Sequence, residues 1–302
     1  MADTNIFDII IVGGSYSGLA AAMALGRALK KVLVIDDGKP CNRQTPYSHN
    51  FLTNDGRTPA KIAELANLEV RNYNTVQFFN GTALNANKIR KGFKISVTTG
   101  EVFSAEKLIF ATGIKDKLPG IDGLEACWGI SILHCPYCHG YEFRGKKTGI
   151  LGNGDTGFEF ARLVSNWSDH LTLYINGTST FTNVQKEKLK KRHVKIVEKN
   201  IANFEHENGY IRNIIFTDGT SSPIEAIYAP PAFEQHCKIP GSLGCELTEE
   251  GYIKVDNFYE TTIKEVFAIG DNTTKTRTVA NAVAMGTTAG MMISKKMIME
   301  RF

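Results

Sequence analysis

Two short glycine-rich turns constrain this chain more than any other feature: Gly13-Gly14-Ser15-Tyr16-Ser17-Gly18 and Gly152-Asn153-Gly154-Asp155-Thr156-Gly157. Each follows a short apolar, β-branched run and precedes a stretch of helix-forming composition. A strand-turn-helix of this kind needs glycine for the tight turn, for close approach of backbone to a pyrophosphate, and for helix–strand packing. The anion then rests on the helix N-terminus, where unbonded N–H groups and the helix dipole favour negative charge. Two such turns in 302 residues set the expected fold class: α/β, with two Rossmann-like, three-layer domains.

The first turn has its whole unit around it. Phe7–Val12 reads as a buried strand, Leu19–Leu29 as a helix and Lys31–Ile35 as the second strand, which ends at Asp36 and Asp37. Asp36 falls 23 residues after Gly13, the distance at which an acid binds ribose hydroxyls. Ser15 replaces the usual second glycine, a small residue able to hydrogen-bond phosphate itself. The second turn keeps all three glycines between a strand at Thr148–Leu151 and a helix at Phe158–Val164. Its following strand, Leu171–Ile175, ends at Asn176, which is neither an acid for NAD nor an arginine for the NADP phosphate. A nucleotide site is expected there, with its ligand less defined.

Between the two turns lies a loop from Gly38 to Thr58, long enough to argue for a functional role. A helix at Pro59–Tyr73 and strands at Val76–Phe79, Phe93–Thr98, Glu101–Phe103 and Lys107–Phe110 follow, the last running into Ala111-Thr112-Gly113. Asn208–Gly219, two strand-like stretches with Asn-Gly and Asp-Gly turns, echoes Lys91–Glu101. The repeat points to two related modules, the second inserted within the first. The expected hinges are Lys117–Gly123 and Gln235–Gly244, each with a Pro-Gly pair. Tyr252–Val255 and Val266–Gly270 then return as strands to the first module, before a helix at Val279–Met292. Gly270-Asp271 puts a carboxylate at a strand edge, where it suits a cofactor's polyol chain or, equally on local grounds, a turn or N-cap.

Composition excludes several classes. A net charge of +4 is mild for this length and gives no basic face for nucleic acid. Hydrophobic content of 42% with 22% charged residues suits a globular enzyme with real cores. Ile9–Gly26 carries no charge, but it splits into strand, turn and helix, and only Asp3 and Asp8 precede it, so it reads neither as a membrane span nor as a signal segment. No other stretch approaches spanning length, and six scattered cysteines make no secreted scaffold. A cytoplasmic location is the default expectation.

Cys135-Pro136-Tyr137-Cys138-His139 lies between the two nucleotide turns. A zinc site needs four ligands, and Cys237 and Cys245 are not a close pair. Haem attachment fits Cys-x-x-Cys-His literally but requires export. A redox dithiol is the reading that the flanking modules favour. Its chemistry needs a thiolate, which a helix N-terminus at the motif would favour, and a proton partner, for which His139 is placed. His134 and Glu142 are secondary candidates, with structural roles the blander account. Cys41, Cys127, Cys237 and Cys245 read as packing thiols, although Cys41 sits in the functional loop and can instead touch the cofactor. The basic run Lys186–Lys195 reads as a solvated helix face.

The order of these parts resembles the low-molecular-weight thioredoxin reductases, FAD-dependent pyridine nucleotide-disulfide oxidoreductases, over essentially the whole chain. The motifs Gly13–Gly18, Ala111-Thr112-Gly113, Cys135–Cys138, Gly152–Gly157 and Gly270-Asp271 carry the resemblance. It implies an FAD domain of residues 1–116 and 245–302, with an NAD(P)H-binding-like domain of residues 117–244 that holds the dithiol. FAD would be held by Gly13, Gly14, Ser15, Tyr16, Ser17 and Gly18. Asp36 with its neighbours Asp37, Gly38 and Lys39, and Cys41, Asn42, Arg43 and His49 would join them. So would Ala111, Thr112, Gly113, Gly270, Asp271, Thr278 and Val279. NADPH or NADH would meet Gly152, Asn153, Gly154, Asp155, Thr156 and Gly157. Cys138 would face the flavin and Cys135 the external substrate, and the chain would form a homodimer whose domains rotate between the two half-reactions.

The chain also departs from the standard reductases. They carry Asp after the second cysteine, where this chain has His139. Cys135 to Glu142 and the loop from Cys41-Asn42-Arg43 to Asp55-Gly56 are similar to a branch with gliotoxin- and holomycin-type dithiol oxidases and bacterial reductase-like proteins. Ile175-Asn176-Gly177-Thr178 replaces the arginine cluster of an NADPH site. The resemblance implies a disulfide reductase acting on a thioredoxin-like protein or a small disulfide. A dithiol oxidase passing electrons to oxygen, and a flavoprotein fed by a donor such as ferredoxin, remain open beside it.

Overall fold

A computed structural model describes residues 5–302; Asp3, used in the signal-segment argument, lies outside the described residues. The chain divides into two compact units: the described residues up to 43, with 51–115 and 233–302, in the first, and residues 44–50 and 116–232 in the second.

The first unit opens with β1 (Ile6–Val12), α1 (Tyr16–Arg27), β2 (Val32–Asp36), α2 (Pro59–Arg71), β3 (Val76–Asn80), β4 (Ala83–Lys88), β5 (Phe93–Val97) and β6 (Val102–Phe110). Alternation along β1 decides its layers. From Ile9 to Val12 the faces alternate: Ile9 and Ile11 point to the core beneath α1, whereas Ile10 and Val12 enter the core on the opposite face, where Phe7 also packs. Both faces are covered, so β1 reads as a continuous apolar run, as a central parallel strand must. It pairs in parallel with β2 and β6, and β2 in turn with β3. The single nine-residue β6 replaces the two strands expected at Glu101–Phe103 and Lys107–Phe110. Ser104–Glu106 bridges them because pairing with β1 on one side and β5 on the other satisfies its backbone. The sequence marks no strand at β4, since its one buried residue is the small Ala86 and Asn85 and Asn87 are poor strand formers.

The chain leaves this unit in β7 (Ile114–Lys117) and builds the second with α3 (Leu124–Cys127), β8 (Ile132–Leu133), α4 (Pro136–His139), β9 (Thr148–Leu151), α5 (Gly154–Val164), β10 (Leu171–Tyr174), α6 (Asn183–Lys191) and β11 (Lys195–Val197). β12 (Ile201–Glu207), β13 (Tyr210–Phe216), β14 (Ser221–Pro223) and β15 (Ala226–Tyr228) complete it. Five strands form a parallel sheet in the order β11-β10-β9-β15-β8, and β12-β13-β14 is an antiparallel meander. Buried Ile150 and Leu173 meet Phe158 and Ala161 of α5 in one core, while Phe204, Ile214 and Phe216 of the meander fill another.

The return path is β16 (Ala232–Gln235), α7 (Ile239–Ser242), β17 (Val266–Ala268) and α8 (Val279–Arg301). β16 pairs with β7 in a two-stranded sheet. Residues 233–244, assigned by the sequence to the inserted module, belong to the first unit because Ile239, Cys237 and Leu243 pack into its core. Tyr252–Val255 forms only isolated bridges, whereas β17 adds to β6 in parallel. α8 runs nine residues past Met292, along α1. Its small face permits that approach: a Cβ on Gly286 would stand 2.1 Å from the Ser17 carbonyl oxygen.

Candidate functional site

The turn after β1 sits at the carboxyl edge of the parallel sheet, the position at which open α/β sheets take ligands. Gly13 has φ +102°, and a Cβ there would lie 2.3 Å from the Ala111 carbonyl oxygen. A Cβ on Gly18 would lie 1.9 Å from the Gly13 carbonyl oxygen, so the turn folds back on its own helix as no other residue allows. Asp36 closes the unit: its Oδ1 accepts the Gly14 N–H at 2.8 Å and its Oδ2 the Gly38 N–H at 3.1 Å. Two further lone pairs on that carboxylate stay available for ribose hydroxyls. The neighbouring Asp37 pairs with Lys39 at 3.6 Å.

Ser15, the N-cap of α1, makes no side-chain cap bond, so the first N–H groups of this twelve-residue helix keep their capacity for an anion. Asn42 donates to the Tyr16 hydroxyl at 3.1 Å, while burial pushes that phenol up, with the Asn42 bond opposing. Asn272, fully buried after Gly270-Asp271, donates to the Phe110 carbonyl at 2.8 Å and to Thr112 at 3.4 Å. Asp271 faces Arg277 at 3.7 Å, and Thr278 caps α8 by accepting the Asn281 N–H at 3.1 Å, with Val279 opening the helix. Gly270 has a positive φ and its α-carbon packs against Ser17. The acceptors Asn42 Oδ1, Asn272 Oδ1 and Gln235 Oε1 are buried without a hydrogen-bond partner in the protein. Such groups are costly unless a ligand or water satisfies them, and a flavin dinucleotide's donors fit that demand. Asn272 and Gln235 escaped the sequence reading because a lone amide in an apolar context carries no spacing signal. Cys41 and Arg43 are exposed on the same loop, and Gly113 follows Thr112 with φ +60°.

The second turn differs in kind. Register makes the comparison direct: Val12 pairs with Ile35 before the first turn, and Leu151 with Tyr174 before the second. Asp36 therefore corresponds to Ile175, which is buried and apolar. Asn176 is turned away, its Oδ1 accepting the Ile201 N–H at 2.8 Å. Asn153 Oδ1 accepts from Gly154 N at 2.9 Å and Thr180 N at 2.9 Å, and its Nδ2 donates to the Thr178 carbonyl at 2.8 Å. That side chain ties the glycine turn to residues 178–180. Asp155 is held by Gln185 at 2.7 Å, Thr156 is exposed, and Gly157 packs against Gly152.

β8 delivers the chain to the dithiol. Cys135 and Cys138 are joined by a disulfide with Cα atoms 5.3 Å apart. The expected helix is the single turn α4, with Cys135 as N-cap and its Sγ accepting the Cys138 N–H at 3.2 Å. Tyr137 meets Trp167 edge-on at 5.5 Å and anchors the exposed side of the turn. Burial first, and the charge of His49 second, bring His139 down to about 4, so it is neutral at neutral pH. His49 belongs to the second unit, with Nδ1 3.6 Å from Glu142 Oε1. The sequence linked these residues only weakly, because nearly a hundred positions separate His49 from Glu142. Among the described residues no His/Cys/Asp/Glu cluster is arranged to hold a metal ion, and no helix is long and apolar enough to cross a membrane.

Known proteins share this arrangement. The chain is 31% identical to thioredoxin reductase tcpT of Claviceps purpurea over 99% of this chain and 96% of that protein. It is 30% identical to thioredoxin reductase sirT of Leptosphaeria maculans, covering 95% and 93%. The crystal structure of an oxidoreductase from Agrobacterium tumefaciens superposes with a TM-score of 0.91 at 32% identity, over 97% of this chain and 99% of that one. The pyridine nucleotide-disulphide oxidoreductase family matches residues 7–286. The chain belongs to that family, as a thioredoxin reductase-like, FAD-dependent disulfide oxidoreductase.

Proposed function

We propose that Cys135 and Cys138 exchange electrons between the flavin and an external disulfide, on a thioredoxin-like protein or a small molecule. The observation that carries this reading is the Cys135–Cys138 disulfide in a turn whose N–H already points at Cys135 Sγ, with His139 next in sequence. On reduction the same N–H favours a thiolate on Cys135, the form that attacks. Cys135 then bonds to one sulfur of the substrate, and the other sulfur leaves and takes a proton. Cys138 gives up its proton, attacks Cys135 and releases the second substrate thiol. The substrate is reduced to thiols and the enzyme is left with its disulfide. His139, neutral and next in sequence, has a ring nitrogen able to take that proton, and because it holds a proton weakly the proton must be passed on.

FAD would be held by Gly13–Gly18, Asp36, Asn42, Ala111–Gly113, Asp271 and the start of α8, and it supplies the carrier of an electron pair. The uncapped α1 and the partnerless acceptors Asn42 and Asn272 support that assignment. The nicotinamide, NADPH or NADH, is assigned to the turn at Gly152–Gly157. A cytoplasmic homodimer is the setting we assign, on composition and resemblance; sedimentation of the holoenzyme tests the dimer.

A second reading runs the exchange backwards, with a small dithiol as donor and oxygen as acceptor. Asn153 tied to Thr178 and Thr180, with Ile175 in the place of the ribose acid, favours it. Anaerobic stopped-flow mixing of flavin-loaded protein with NADPH and then NADH separates the two. Rapid bleaching of the flavin supports the reductase, and no bleaching with either nucleotide refutes it. Bleaching by a small dithiol, with peroxide formed on admitting air, supports the oxidase.

A further inference from the structure

The segment 44–50 brings His49 to the dithiol's own unit, beside Glu142. His49, Glu142 and His139 line one pocket of about 250 Å³, and neither cysteine lines it. Lys146, Arg212 and Glu225 supply the other charges of its wall, from the segment after α4, from β13 and from the turn before β15. Beneath them Tyr228 is buried at the end of β15, next to Leu133 of β8. Its hydroxyl has no protein partner, and burial first, then the Glu142 charge, push its pKa up, so it stays neutral and adds no charge to the cluster.

We infer that His49 and Glu142 act as a positioning and proton-relay pair for His139, exporting its proton through this pocket, away from the sulfurs. The inference rests on the proposed role of His139 in the dithiol exchange. The physical argument is one of charge. Two neighbouring imidazoles do not hold two protons readily, so a proton that His139 takes from Cys138 is disfavoured whenever His49 holds one too. Glu142 lies against that second ring as counter-ion and as the next acceptor, and the pocket joins it to solvent. The proton balance closes: the two departing substrate thiolates take two protons from solvent, Cys138 returns one through the relay, and the other replaces the proton that Cys135 released when it ionised. Separate routes for proton and sulfur let a substrate cover the dithiol without trapping the proton beneath it.

The test uses the FAD holoenzyme with isotope-labelled histidine. In the wild type His139 titrates at about 4. His49→Gln removes the repelling charge and raises that value, whereas His49→Lys keeps a charge there and leaves it low. In single-turnover exchange between the reduced enzyme and 5,5′-dithiobis(2-nitrobenzoate), Glu142→Ala slows the step by about a hundred-fold, the lower end of general acid–base assistance. Formate, small enough for the pocket, restores the rate. An unmoved His139 titration in His49→Gln, or a Glu142→Ala loss that formate does not restore, overturns the inference. The titration needs no turnover, so a failure of the proposed exchange chemistry is read separately, as loss of reaction with the dithiol while the histidine shifts persist.

Discussion

Gly13→Ala is the most informative perturbation of the nucleotide cradle. The new methyl would sit at φ +102° and 2.3 Å from the Ala111 carbonyl oxygen. The backbone conformation costs an L-residue about 1–2 kcal/mol. Relieving the contact by shifting backbone costs a further ~1–3 kcal/mol. The sum is ~2–5 kcal/mol, which weakens flavin binding about 30- to 5,000-fold if the free protein relaxes and the bound form cannot. Gly100 is the control. Its φ is +95°, nearly the same, but nothing lies within 4 Å of its would-be Cβ. Gly100→Ala should therefore cost only the backbone part, about 1–2 kcal/mol, and leave flavin affinity unchanged. The assay is flavin content of the purified variants, followed by fluorescence titration of the apoprotein with FAD. Full flavin loading and unchanged affinity in Gly13→Ala would falsify the assignment of this turn as the dinucleotide cradle.

Other perturbations address the rest of the site. Cys138→Ser should keep flavin bound and lose disulfide turnover; turnover at the wild-type rate contradicts the role of the dithiol. Asn153→Gly frees the turn from Thr178 and Thr180, and NADPH or NADH should then bleach the flavin faster than in the wild type; equal rates show that the tie does not limit donor access. His139 is lowered to about 4 on folding, so the unfolded chain binds the extra proton between that value and the ordinary histidine range. Stability should accordingly fall as pH drops from roughly 6.5 to 4, and His139→Gln should flatten that slope in denaturant midpoints measured across the window. Lys107 is buried against Glu265 and Glu300, and its replacement by methionine should destabilise by about 1–3 kcal/mol. Both carboxylates keep some solvent, which holds the cost below that of a sealed pair; an unchanged denaturant midpoint would remove the pair from the account.

Much of the fold could be read where local rules and tertiary packing agree. Ile9–Val12 is apolar on both faces because both faces are covered, and the glycines at 13 and 18 stand where backbone meets backbone. The strand β4 was lost to the reading because its buried face is mainly Ala86, a small residue that hardly marks a period. The run 233–244 carries a Pro-Gly pair typical of a hinge, yet Pro240 lies in the short α7 and Ile239 is held in the first core. At the site, Cys135, Cys138 and His139 were legible because they are contiguous. His49, Glu142 and Tyr228 come from three separate segments, and nothing in their spacing brings them together before the chain folds. Ile175 at the place of Asp36 became meaningful only through strand register, which turns a missing acid into a buried apolar contact.

The most direct test of the central claim is an anaerobic reductive titration of the flavin-loaded protein with dithionite, followed by flavin absorbance. If Cys135–Cys138 exchanges electrons with the flavin, the wild type takes up twice the reducing equivalents of Cys138→Ser before the flavin is fully bleached. Equal uptake by the two proteins would show that the disulfide is not coupled to the flavin.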